Sequence, residues 1–314
     1  MRNISEGAYS LKGEIYMEIN IYQVDAFCDK AFGGNPAGVV PNAKGLTEDM
    51  MQSIAKEMNL SETAFVTSMS DDLFTVRFFT TICEVDLCGH ATIATFYTLA
   101  KLGYIEAIDN GIKTVYQDTK AGRLSVDIVF KDGKVDKIFM EQAAPKEIGV
   151  LSNILPLIES MGIGMDDVGV LDNMIYPEII STGLPDIILP IKKKEVLDNL
   201  NIDMKALAKV SQDLDVTGVH AFYLPKVNSD FVYTRNFAPL VGIDEEAATG
   251  TSNGALMYFL KKNNLIQNNN IISYQGESIN RPSIIHCQIV KKNENLTVKI
   301  GGNAKTVISG VLSI

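Results

Sequence analysis

Cysteine, histidine and positive charge are all scarce in this chain of 314 residues. The four cysteines, Cys28, Cys83, Cys88 and Cys287, contain no CxxC pair, so they read as free thiols of a reducing compartment rather than as a disulfide framework. The three histidines, His90, His220 and His286, stand far apart and give no metal-ligand signature, so no metal is expected. Lysine and arginine number 28 against 38 acidic residues, a net charge of −10. That balance speaks against nucleic acid and anionic membrane as partners, since neither attracts an acidic protein. No stretch approaches the roughly 18 apolar residues of a membrane span. Residues 1–16 lack the apolar centre of a secretory signal and read as an extension before Met17, so a cytoplasmic protein is expected. The glycine-rich run Gly33 to Gly38 has the spacing of neither a phosphate loop nor a dinucleotide fingerprint, and no cofactor is expected.

What is present is a composition of 46% hydrophobic and 21% charged residues, that of a compact α+β protein with room for two domains. The boundary is placed near residue 140, giving domains 17–140 and 141–314, with a last strand able to return to the first. Strands are predicted at 18–27, 37–41, 63–68, 73–80, 123–130 and 134–141, the last two joined by the hairpin signal Asp132-Gly133. Thr47 caps a helix whose Met51, Ile54, Ala55 and Met58 share one face. In the second half strands are predicted at 177–183, 186–191, 218–224 and 230–237, with short strands from 271 onward. Peripheral helices are expected at 149–161 and 195–213.

Two further helices, 90–102 and 250–263, are apolar on most sides and should be enclosed by sheet. Their starts echo each other: setting Gly89 on Gly250 also pairs Ala94 with Ala255, Tyr97 with Tyr258, Leu99 with Leu260 and Lys101 with Lys262. The chain reads as a duplication. A helix start leaves backbone N–H groups without partners and carries the positive end of the dipole, so two facing starts would hold a small anion.

Four groups of side chains offer chemistry. Glu62, in Ser61-Glu62-Thr63-Ala64-Phe65, lies between a helix and an apolar strand, where neither element needs a charge; partial burial would raise its pKa and suit it to proton transfer. Cys88 stands at a helix start, which favours thiolate, with a small buried apolar residue as the plain alternative. His90 follows beside the anion pocket. Asp244, Glu245 and Glu246 read either as a solvated approach to a helix or as the source of a second carboxylate facing Glu62, with acid and base roles divided by environment. Gly250, Thr251 and Ser252 offer N–H groups and hydroxyls to a carboxylate, although helix capping alone explains them too. Gln275-Gly276 and Arg281-Pro282 read as cleft lining or as a turn.

Taken together, Gln23 to Phe27, Gly34-Asn35-Pro36-Ala37, Ser61 to Val66, Arg77 to Thr80, Glu84 to Thr92, Ser181 to Pro185, Arg235 with Phe237-Ala238-Pro239, Ala248-Thr249-Gly250, Gln275-Gly276 and Arg281-Pro282 resemble the PhzF-like family of phenazine-biosynthesis isomerases. That family is similar in fold to diaminopimelate epimerase and proline racemase. The resemblance implies two pseudo-symmetric domains, each an antiparallel barrel-like sheet around a central helix, with the site in the cleft between them, and a homodimer. It further implies cofactor-free proton transfer with Glu62 as general acid/base on a small carboxylate substrate. Glu246 and Ala247 replace the aspartate and proline of the family pattern, Thr81 replaces another proline, and Cys88 is closer to the epimerase relatives. The candidate catalytic residues are therefore Glu62, Glu246 and Cys88, and the candidate substrate-binding residues Asn35, Ser61, Gly89, His90, Ala91, Gly250, Thr251 and Ser252. Two alternatives stay open: a Cys88-based epimerase or dehydratase of an amino or imino acid, and a non-catalytic small-molecule binding protein.

Overall fold

Two helices that carry almost no charge, each wrapped by strands, organise the molecule. The computed structural model describes residues 9–11, 14–292 and 295–314. Strands β1 (Tyr9–Leu11) and β2 (Glu14–Tyr16) pair with each other apart from the main sheet; the rest of the expected extension, residues 1–8, 12 and 13, lies outside the described residues. The first half runs β3 (Glu18–Ala26), β4 (Asn35–Val40), α1 (Glu48–Met58), β5 (Thr63–Ser70), β6 (Leu73–Phe79), β7 (Glu84–Val85), α2 (Gly89–Lys101), β8 (Gly111–Thr119), β9 (Gly122–Lys131) and β10 (Lys134–Glu141). After β11 (Lys146–Val150) and α3 (Leu155–Met161) the order returns as β12 (Glu178–Ser181), β13 (Pro185–Pro190), α4 (Lys194–Asp198), α5 (Met204–Asp213), β14 (Gly218–Tyr223) and β15 (Phe231–Ala238). It closes with β16 (Ile243–Glu246), α6 (Gly250–Lys262), β17 (Asn270–Gln275), β18 (Ser283–Lys292), β19 (Asn295–Gly302) and β20 (Ala304–Ser313).

The two halves share one pairing scheme. β3–β4 and β12–β13 are antiparallel, β4–β5 and β13–β14 parallel, β5–β6 and β14–β15 antiparallel, β6–β8 and β15–β17 parallel, and β8–β9–β10 and β17–β18–β19 antiparallel. β10 pairs with β19 and joins the halves, β20 comes back to flank β3, and β11 flanks β12. The sheet is mostly antiparallel, as expected, with these four parallel pairs set into it. Parallel neighbours need a crossover, and each of the four parallel pairs has helical chain between its strands: α1, α4 with α5, α2 and α6.

Side chains repeat with the strands. Arg77 binds Glu84 through Nε and Nη2 at 2.7 and 2.6 Å and lies over Phe79 at 5.1 Å. Arg235 does the same with Glu245 at 2.9 and 2.7 Å, over Phe237 at 5.0 Å.

Residues 90–100 of α2 are all buried, and Gly103, at φ +83°, turns the chain away after its end. α6 is buried nearly as fully. The Asp132-Gly133 hairpin has φ of 51° and 69°, the positive pair a tight two-residue turn requires. Other expectations change. The helix expected at 149–161 is present but begins at Leu155, residues 149–150 being the end of strand β11, and the helix expected at 195–213 is interrupted between α4 and α5. The segments after residue 270 form strands of six to ten residues. No described helix is long and apolar enough to cross a membrane.

Phe96, fully buried on α2 and edge-on to Phe74 at 5.6 Å, fills the centre of the first half. Phe96→Ala is expected to destabilise the protein by about 3–5 kcal/mol, read as a lower urea midpoint at unchanged slope.

Candidate active site

Helices α1 and α5 carry side-chain caps, whereas the two central helices, like the short α3 and α4, do not. Thr47 accepts from Met50 N–H at the start of α1, and Asp203 from Ala206 N–H at the start of α5. At α2 and α6 the capping positions are Cys88 and Thr249, and neither side chain bonds the helix it precedes. The two starts meet: a Cβ built on Gly89 would lie 4.0 Å from the Gly250 Cα and 3.7 Å from Met140 Sδ. Neither glycine adds a side chain to this junction, which Met140 and Ile300 line, and the positive ends of two helix dipoles share one small region.

Glu62, His90 and Cys88 gather there. Glu62 Oε2 is 3.2 Å from His90 Nε2, and Cys88 Sγ is 3.4 Å from His90 Nδ1. Ser61 Oγ reaches His90 Nε2 at 3.3 Å. The Glu62–His90 approach has the distance of an ion pair but not the alignment of a hydrogen bond, so the buried Oε2 keeps an unengaged lone pair. The Glu62 side chain is 19% exposed and His90 is buried.

Burial alone would raise the Glu62 pKa, as the sequence reading expects, but the His90 ring 3.2 Å away, followed by Ser61 and Cys88, outweighs it and holds the carboxyl below its ordinary value. That expectation is corrected in sign. Burial also opposes a charged His90, yet Cys88 and Glu62 packed against the ring hold it well above the ordinary histidine range, and with the thiol protonated the charge that does so is the Glu62 carboxylate. Cys88 goes the other way from the expected thiolate: burial, followed by the negative charge of Glu62, pushes its thiol up. A helix start lowers a thiol pKa only when other charges do not oppose it.

The second carboxylate is Glu246. It is not on a solvated approach to a helix, as the plain reading of 244–246 has it, but on β16, whose pairing with β15 turns it inward. Asn35 donates to its Oε1 at 2.9 Å and Thr249 Oγ1 to its Oε2 at 2.9 Å. Asn35 also approaches His90 Nδ1 at 3.3 Å, so one amide joins the two halves. Burial, with the nearby charge of Glu62 added, raises the Glu246 pKa despite the opposing pull of His90. The two carboxylates are therefore pushed apart in pKa by different surroundings, the condition for dividing acid and base roles. Glu245, one residue earlier, is held by Arg235.

The other candidates separate. Gly89, Ala91, Gly250 and Thr251 lie at the two helix starts. Ser252 keeps its backbone there, but its hydroxyl turns inward to Asp186 at 2.5 Å. Residues the sequence left undecided take definite places. Gln275 donates to the Glu246 carbonyl at 2.8 Å and to Thr249 Oγ1 at 3.1 Å. Arg281 pins the turn before Asn35 through Gly33 O and Gly34 O, both at 2.8 Å, and Asp25 at 2.9 Å. Sequence reading also missed that Glu62, Cys88 and His90 offer donor atoms all within 4.8 Å of one another, a group able to hold a metal ion. Their spacing along the chain matches no ligand motif, because the fold rather than the sequence brings Glu62 to the other two.

A family model described as phenazine biosynthesis-like protein matches residues 24–310. An uncharacterized isomerase of Clostridium acetobutylicum is 38% identical over 305 residues, covering 93% of this chain and 97% of the relative. The crystal structure of a Bacillus anthracis phenazine biosynthesis protein of the PhzF family superposes with a TM-score of 0.81 at 29% identity, covering 94% of this chain and 99% of the other. A hydroxyproline epimerase from Agrobacterium vitis, at 11% identity and a TM-score of 0.60 over 94% of this chain and 91% of its own, shares the fold. The repeated architecture, the paired helix starts and these matches lead to one assignment: the chain belongs to the PhzC-PhzF family of phenazine biosynthesis-like proteins.

Proposed function

We propose that this isomerase moves a proton between carbons of a small carboxylate without a cofactor, in a cleft between the domains 17–140 and 141–314, the last strand, β20, returning to the first domain. The observation that carries the reading is the Glu62 Oε2: a buried carboxylate oxygen with no hydrogen bond, beside two uncapped helix starts. The substrate carboxylate takes the free N–H groups at Gly89 to Ala91 and Gly250 to Ser252, which place the adjacent carbon against Glu62. Glu62, ionised, accepts the proton from that carbon; Glu246, protonated, stabilises the developing negative charge by donating to it, and the proton on Glu62 is returned at the second carbon. His90 stays paired with Glu62 and fixes its orientation. The family's members supply the class, and a homodimer in the cytoplasm is the setting we propose.

A second reading makes the Cys88 thiol the base, supported by its 3.4 Å contact with His90 Nδ1 and opposed by the burial that keeps it protonated.

Solvent-hydrogen exchange distinguishes them. With small amino and hydroxy acids such as L-proline and trans-4-hydroxy-L-proline in heavy water, Glu62→Gln is expected to lose about 10²–10⁴-fold in exchange rate. Cys88→Ser is expected to stay within about 10-fold of the parent protein, well short of the loss that general-base removal brings. Unchanged exchange in Glu62→Gln defeats the first reading, and loss confined to Cys88→Ser establishes the second.

The pH profile supplies a further check. Activity needs Glu62 ionised and Glu246 protonated, so it is lost as pH falls through the lowered Glu62 pKa and again as pH rises through the raised Glu246 pKa. The expected bell has its acid limb below the ordinary glutamate range and its alkaline limb above it. A rate that climbs steadily into the thiol range contradicts it.

A further inference from the structure

The duplication provides an internal control on the core. Arg77 and Arg235 fix the correspondence of β6 with β15, and strand register carries it to their neighbours. Ala64 faces Phe78 across β5–β6 as His220 faces Asn236 across β14–β15. Ala37 follows Pro36 on β4 as Asp186 follows Pro185 on β13, and Ala91 stands two residues after Gly89 as Ser252 does after Gly250. In the first half these positions, Ala37, Ala64, Phe78 and Ala91, are all fully buried members of one apolar core. In the second half the same places hold Asp186, His220, Asn236 and Ser252, at 2%, 0%, 2% and 1% exposure. The fold closes well over apolar side chains here, so a buried acid, imidazole, amide and hydroxyl serve something other than closure.

These four side chains form a connected path. Ser252 Oγ donates to Asp186 Oδ2 at 2.5 Å, Asn236 Nδ2 donates to Ser252 Oγ at 3.1 Å, and Asn236 Nδ2 lies 3.2 Å from His220 Nδ1. On its other edge His220 faces Asn253, although His220 Nε2 and Asn253 Oδ1 do not meet hydrogen-bond geometry. Asn253 Nδ2 donates to Gln275 Oε1 at 2.9 Å and to the Thr249 carbonyl at 2.8 Å. Gln275 Nε2 reaches Thr249 Oγ1, which in turn donates to Glu246 Oε2. Two networks thus grip successive residues of the first turn of α6 from inside, Ser252 on the Asp186 side and Asn253 on the Gln275 side, and the second ends on the carboxylate of the cleft.

We infer that Asp186, His220, Asn236 and Ser252 are positioning residues, which hold the start of α6 and, through Asn253, Gln275 and Thr249, fix the Glu246 carboxyl in the cleft. The inference rests on reading Glu246 as a group of the active site. The polar half of the duplication is the half that supplies Glu246, and the apolar half supplies Glu62, whose orientation comes from His90 and Ser61 instead.

The groups facing this system are few. Glu246 meets Asn35, Thr249, His90 and Glu62; Asp186 meets Ser252, the Gly218 backbone and the charge of Glu246; His220 meets Asn236 and Asn253. Burial raises Asp186 to about 6 and lowers His220 to about 3, so the imidazole is neutral and the acid changes charge near pH 6. Above that pH its negative charge works against ionisation of Glu246.

The test gives the second half the residues of the first: Asp186→Ala, His220→Ala, Asn236→Phe and Ser252→Ala together. Protein labelled with ¹³C at the glutamate carboxyl reports the Glu246 titration, its signal identified by loss in Glu246→Gln. The expected result is a melting temperature equal to or above that of the parent, with the Glu246 midpoint lower by at least half a pH unit. An unchanged midpoint in a folded variant overturns the inference. Should the fourfold variant not fold, Ser252→Ala, which removes the hydroxyl that ties α6 to Asp186 and Asn236, is read for movement of the same signal, with an unmoved Glu246 midpoint as the contrary result. The readout needs no substrate, so it stands apart from the exchange experiment on Glu62→Gln: either can fail alone.

Discussion

Everything in this protein depends on the meeting of two helix starts at Gly89 and Gly250. A Cβ on Gly89 would lie 4.0 Å from the Gly250 Cα, so the dipoles of α2 and α6 converge with neither glycine adding a side chain between them. Two positive helix ends pressed together are unfavourable unless something negative is near. Glu62 and Glu246 are near, one on each side, and an anionic ligand would complete the neutralisation. The missing side-chain caps at Cys88 and Thr249 follow the same logic: a capping hydroxyl would occupy the N–H groups that the junction leaves free.

The duplication explains how such a junction arises and how its chemistry became one-sided. Each half makes the same mixed sheet around one apolar helix, and each keeps the Arg–Glu pair and the ring beneath the guanidinium. On that shared frame the halves diverge. The first presents Glu62, Cys88 and His90; the second presents Thr249 and Thr251 where the cysteine and histidine would be, contributes Glu246, and spends its interior on a polar network. Asn35, from the first half, bonds Glu246 of the second, and Arg281, from the second, pins the turn that carries Asn35. The halves thus position each other's groups.

Much of this was legible in the sequence because it rests on local rules. The Asp132-Gly133 hairpin, the Thr47 cap and the enclosed helices beginning at Gly89 and Gly250 follow from periodicity and turn chemistry, while the choice of Glu62 comes from the family resemblance. The errors have non-local causes. Strand β11 carries no signal of its own because it is short and exposed and flanks β12 as an edge, with no alternation to mark it. Parallel pairing was missed because it is a property of crossovers, not of any one strand. Glu62 takes a shift opposite to the expected one because burial alone leaves out His90, and Cys88 because its helix position leaves out burial and the Glu62 charge that the fold brings beside it. His220, a lone histidine on an apolar strand, gave no hint of the buried network it joins.

The most direct test of the central claim is a crystal structure with pyrrole-2-carboxylate, whose ring is planar at the carbon next to the carboxylate as a deprotonated substrate would be. The account predicts its carboxylate within hydrogen-bond reach of backbone N–H groups from both α2 and α6, with Glu62 against that carbon. A ligand held by one helix start alone, or bound at the surface hollow lined by Lys194 and Tyr233, would contradict it.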